Sequence, residues 1–123
     1  MRGAATRSII KAGVFLLAAV LGTLPLWAHA VLVASEPAAN ATVPGPDVTL
    51  ALHFNSRIDN KLSKIILVDP DQGQHSLTLE TQAEPQTLNA QARGLRPGTY
   101  QVRWQVLASD GHITRGQYTF NVR

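Results

Sequence analysis

The chain has 123 residues, 45% hydrophobic and 15% charged, a globular composition with room for one domain and not two. Of its eleven Lys and Arg, three are Arg2, Arg7 and Lys11. The remaining eight face eight Asp and Glu, so no basic patch survives to give nucleic-acid binding an electrostatic warrant. There is no cysteine, which excludes thiolate zinc sites, iron–sulfur clusters, a catalytic thiol and disulfides.

Residues 1–28 read as a secretory signal peptide. Arg2, Arg7 and Lys11 form a basic start, Ala12 to Leu24 an apolar stretch, and Pro25 and Ala28 the cleavage region. The apolar stretch falls short of the about 20 residues of a membrane span. Two cuts fit the leader. One after Ala28 leaves His29 as the first residue, whereas Ala28-His29-Ala30 is itself an Ala-x-Ala box whose use would discard the histidine. With His29 first, its α-amine and ring Nδ1 can close a six-membered chelate around a metal.

From position 29 onward the pattern is that of short strands. Val31 to Ser35 is an apolar first strand, and Glu36 to Pro46 a proline-containing loop. Val48, Leu50, Leu52 and Phe54 share one face of a second strand, which puts His53 on the outer face. Asn55 to Ser63 is polar and reads as a loop or helical turn. Lys64 to Asp69 is a β-branched strand, and a turn at Asp71-Gln72-Gly73 leads into His75 to Glu80, with His75 a solvated edge residue. Gln86 to Gln91 alternates weakly. Leu95-Arg96-Pro97-Gly98-Thr99-Tyr100 carries the spacing of a tyrosine corner. Tyr100, Val102, Trp104 and Val106 then share a buried face, as do Tyr118, Phe120 and Val122 in the last strand. About seven strands without helical periodicity define an all-β fold, an antiparallel Greek-key β-sandwich of cupredoxin-like or immunoglobulin-like type.

Ser109-Asp110-Gly111-His112 joins the last two strands. On an extended backbone, side chains two apart leave from one face, so Asp110 and His112 would point into one volume, and an oxygen–nitrogen pair suits a divalent metal such as copper. The plain alternative is that Asp110-Gly111 is a type I′ hairpin turn, with positive φ at both residues and no metal at all.

Several stretches taken together resemble the CopC family of periplasmic copper-binding proteins. They are His29-Ala30 at the leader's end, Ser35-Glu36-Pro37-Ala38, Leu52-His53-Phe54, Pro97-Gly98-Thr99-Tyr100 with Trp104, Ser109 to His112, and Gly116 to Val122. The resemblance implies a Cu(II) site made by the α-amine and imidazole of His29, the carboxylate of Asp110 and the imidazole of His112. It also implies cleavage before His29, a domain over residues 29–123, and a periplasmic, monomeric copper carrier or buffer that hands copper to an inner-membrane transporter. Three nitrogens and one oxygen form the tetragonal set that Cu(II) favours. A methionine-rich Cu(I) site known in some members is not expected, because Asp69 to Leu77 offers His75 and no methionine. Whether His53 or His75 adds a ligand stays open. Two rivals remain: a histidine-brace copper oxygenase, for which about 95 mature residues leave little substrate face, and a metal-free sandwich serving as an interaction module.

Overall fold

A computed structural model describes residues 30–123; residues 1–28, read above as a signal peptide, and His29 lie outside the described residues. Eight strands follow in chain order. They are β1 (Leu32–Glu36), β2 (Thr42–Val43), β3 (Val48–Phe54), β4 (Ile58–Val68), β5 (Gln74–Leu77), β6 (Thr87–Ala92), β7 (Gly98–Ala108) and β8 (Ile113–Val122). They form a three-stranded sheet in the order β1-β3-β6 and a five-stranded sheet in the order β2-β8-β7-β4-β5. All pairings are antiparallel except that of β2 with β8. The all-β sandwich expected from alternation is therefore the fold.

The alternating residues meet between the sheets. Leu50, Leu52, Ile65, Leu88, Val102, Val106 and Phe120 are almost wholly buried. Burying each aliphatic or aromatic side chain of this size contributes roughly 1.5–3 kcal/mol, which is how a domain without cross-links holds together. Trp104 sets its indole edge-on to Phe54, with ring centroids 5.1 Å apart at 76°. Tyr100 stacks on Phe120 and donates its hydroxyl hydrogen to the Arg96 carbonyl at 2.8 Å, the tyrosine corner read from the spacing.

Four boundaries differ from the sequence reading. The polar stretch 58–63 is strand: β4 runs from Ile58, and its polar residues fit because the register with β7 slips between Asp59 and Lys64. Within that bulge Asp59 Oδ1 accepts the N–H groups of Lys61 and Leu62. The proline-containing loop includes the two-residue β2, too short to alternate. β5 ends at Leu77, and Leu79 bridges to Ala90 of β6 in the other sheet, so the alternation of Leu77 and Leu79 continues while the pairing partner changes. The last strand begins at Ile113, five residues before its apolar alternation, because an unbroken ladder with β7 carries it.

Candidate metal centre

Asp110 and His112 do come together, by a route other than an extended backbone. Residues 108–112 form a tight hairpin in which Gly111 N–H donates to the Ala108 carbonyl and Ala108 N–H to the His112 carbonyl, both at 2.9 Å. Gly111 takes φ +90°, a conformation that a residue with a Cβ rarely adopts. Among the described non-glycine residues only Asn40 and Gln72 have positive φ, so Asp110 does not take the left-handed conformation of a type I′ turn. The turn directs the Asp110 carboxylate forward onto His112. Its Oδ1 accepts the His112 backbone N–H and its Oδ2 meets His112 Nδ1, each at 3.0 Å.

This contact defines the ring. An ionised carboxylate only accepts, so Nδ1 carries the hydrogen, and in the neutral ring the metal-binding lone pair belongs to Nε2. The same orientation is what carboxylates commonly impose on metal-ligating histidines. A carboxylate offers about four acceptor positions, so a metal bond is compatible with the two contacts to His112. The Asp110 side chain is 28% exposed and that of His112 59%, an arrangement open to solvent on the imidazole side. Among the described residues no group of three His, Cys, Asp or Glu is placed to hold a metal, so a metal site built on this pair would need ligands from outside residues 30–123.

The place where the described chain begins bears directly on that need. Residues 55–57 cross from β3 in one sheet to β4 in the other. Asn55 Oδ1 accepts the Val31 N–H at 2.8 Å, and the Val31 carbonyl accepts the Asn55 N–H at 3.0 Å. Two residues on, the Arg57 carbonyl accepts the N–H of Ser109, the first residue of the Asp-x-His motif, at 3.1 Å. Register agrees, since Leu32 pairs with Phe54 and Ala108 with Ile58. Ala30 is 2% exposed within the core. The chain start and the hairpin therefore occupy the same end of the sandwich, joined through one short crossing. Sequence reasoning missed Asn55 and Arg57, because a polar stretch between two strands gives no sign of what its backbone will hold.

The other histidines have different partners. His53 is half-buried rather than simply solvated: its Nδ1 meets Thr87 Oγ1 at 3.1 Å across the β3–β6 pair, with Glu36 3.8 Å from Nε2. His75 stands on edge strand β5 as expected, but its Nε2 contacts Asp69 Oδ2 at 2.8 Å. It lies opposite Leu67, whereas Ile58 marks the hairpin end of β4. Along β7 the interval from Val102, opposite Leu67, to Ala108, opposite Ile58, is six residues, so His75 stands about 20 Å away, which removes it from the Asp110–His112 site.

An all-β sandwich of two sheets is the fold of copper resistance proteins of known structure. Comparison with known proteins gives the particular family: the CopC domain matches residues 32–123, and this chain belongs to the CopC family. Copper resistance protein C of Xanthomonas campestris pv. juglandis is 31% identical over 122 residues, 93% of this chain and 95% of that protein. Protein YobA of Escherichia coli (strain K12) is 34% identical over 124 residues, 98% of this chain and 99% of that one. The crystal structure of CopC from Methylosinus trichosporium OB3b aligns with a TM-score of 0.69 at 32% identity, over 76% of this chain and 93% of that chain. PcoC, a methionine-rich copper resistance protein from Escherichia coli, aligns with a TM-score of 0.65 at 29% identity, over 77% of this chain and 99% of that chain. Against that last description the present chain departs plainly, its sole methionine being Met1.

Proposed function

We propose that this copper resistance protein is an exported Cu(II) carrier or buffer without a catalytic step. The metal is held by the α-amine and imidazole of His29, the Asp110 carboxylate and the His112 imidazole. The observation that carries the reading is the shared crossing at residues 55–57, which ties Val31 on one side and Ser109 on the other. The two residues from His29 to Val31 can span up to about 7 Å, and the reading requires that span to lead toward the hairpin. The burial of Ala30 favours cleavage after Ala28, since a cut after Ala30 would take a core residue with the leader. The setting is the periplasm, the protein acts as a monomer, and its copper passes to an inner-membrane transporter.

Each nitrogen ligand must lose a proton to bind. Free α-amines titrate at about 7.7–8.0 and imidazoles at about 6.5, so copper uptake releases protons and weakens on acidification, failing progressively below about pH 6. The deciding experiment pairs the intact mass of the exported protein with equilibrium dialysis against copper. A mass starting at His29 and one copper retained at neutral pH is the expected result. Retention unchanged after one residue is added before His29 would remove the amine from the ligand set, and no retention at all would leave a metal-free sandwich. Ascorbate-driven oxygen consumption with release of oxidised sugars would move the protein to the oxygenases.

A further inference from the structure

Register fixes the rows of side chains on the outer face of the five-stranded sheet. One row reads Lys64, Gln105, Arg115 across β4, β7 and β8, and the next reads Ile66, Arg103, Gln117. Neighbouring strands are about 4.8 Å apart and same-face residues about 7 Å apart, so the Cα atoms of Lys64, Arg103 and Arg115 stand within about 10 Å of one another. All three are exposed. Arg115 Nε donates to Gln105 Oε1 and Arg103 Nε to Gln101 Oε1, both at 2.8 Å, which orients the two forks without using their terminal nitrogens. None of the ion pairs among the described residues includes any of the three. Neither row holds a carboxylate. On the adjoining row, with Leu107 and Ile113, stands Asp59, whose Oδ1 is committed to the β4 bulge.

A groove of about 390 Å³ lies among these cations, with Ile66 and Trp104 contributing apolar lining. Toward the hairpin the face turns apolar, ending in Ile113, which is 52% exposed and follows His112 directly. The surface beside the hairpin is thus an apolar rim continued by a cationic groove. On a chain whose Lys and Arg outside the leader only balance its Asp and Glu, that is local segregation of charge and not a general excess.

We infer that this face docks a protein partner through an extended, carboxylate-bearing segment seated along the groove, acidic side chains on Lys64, Arg103 and Arg115. Planar guanidinium forks match carboxylates, and the intervening glutamines offer hydrogen bonds to a backbone or to polar side chains. Three cations fall below the about four to eight that basic clusters use on anionic lipid, and a groove suits a single chain better than a flat headgroup layer. The inference goes beyond the copper reading and depends on it in one respect only: a partner seated here lies on the strands that lead into the hairpin of His112, where metal would change hands.

The test uses the exported, ¹⁵N-labelled protein and three probes: a ten-residue peptide in which glutamates alternate with alanine and threonine, its glutamine-for-glutamate counterpart, and phosphatidylglycerol vesicles. Expected are amide shifts confined to β4, β7 and β8 with the acidic peptide alone, weakening as salt rises from about 50 to about 500 mM. The exposed triple variant K64E/R103E/R115E should bind that peptide at least about tenfold more weakly, with its thermal midpoint kept. Absence of shifts on this face, equal binding by the triple variant, or a preference for vesicles would each overturn the inference. Copper dialysis on the same samples keeps the two readings apart. A triple variant that retains copper while losing the peptide places the loss in docking, and a wild type that binds the peptide without retaining copper upholds the docking face while the copper reading fails.

Discussion

Gly116 shows how a missing side chain can matter as much as a present one. It pairs with Trp104 across β7 and β8, and a Cβ placed on it would stand 2.2 Å from the indole Cζ2 and 2.6 Å from Cε2. Gly116→Ala should push the ring off Phe54 at a cost of about 1–3 kcal/mol. For a domain of this size that is a fall of about 4–8 °C in Tm per kcal/mol. A thermal scan with no change would mean the ring has space to shift. That Trp104 is buried was readable from the alternation of Tyr100, Val102, Trp104 and Val106. That Gly116 is what accommodates it was not, because only cross-strand register pairs the two. At the candidate centre, His112→Ala should weaken copper retention by about 100-fold or more, since loss even of groups that merely orient metal ligands costs about 10–100-fold. Asp110→Asn should weaken it too, because a neutral amide replaces both the oxygen ligand and the carboxylate that holds the imidazole Nδ1–H. Competition titration against a chelator of known affinity measures both, and wild-type affinity in either variant would remove that residue from the site.

Among the elements, the β4–β5 hairpin is organised by Asp69. Its carboxylate meets His75 and accepts the N–H groups of Gly73 and Asp71. The His75 contact chiefly, then the Gly73 N–H, holds its pKa below the usual carboxylate value, with partial burial opposing. A depressed carboxylate pKa contributes stability that is present above the ordinary carboxylate range and is lost as pH falls through the folded value. Asp69→Asn should therefore lower Tm at neutral pH and flatten its decline below about pH 4, seen by repeating the scan across pH. An acid limb as steep as wild type would place that dependence on other carboxylates. The strand itself was legible in Ile65 to Val68 and the turn in Asp71-Gln72-Gly73. The carboxylate–histidine pair was not, since sequence spacing alone does not say which side chains a turn folds together. The Asp110–His112 pair was anticipated for the wrong geometric reason: periodicity of two applies to strands, and here a turn joins them.

For the molecule as a whole, the crossing at residues 55–57 organises both sheets and the site. Asn55→Ala should release the Val31 N–H, costing about 1 kcal/mol of stability. It should also lower copper affinity by about tenfold, by freeing the chain start from the hairpin's end of the sandwich. Paired thermal and chelator-competition measurements check this, and affinity untouched by the change would show that the start is positioned by other contacts. Alternation made the layers predictable, whereas the crossing was invisible in Asn55-Ser56-Arg57 because its role lies in one side-chain oxygen and one carbonyl. The two ends of the five-stranded sheet carry a last consequence. β2 has two residues, β5 has four, and β2 runs parallel beside β8. Strands so short present few open amides and carbonyls to a neighbouring copy. Fibril-like stacking of copies through this sheet is thereby discouraged at both of its ends.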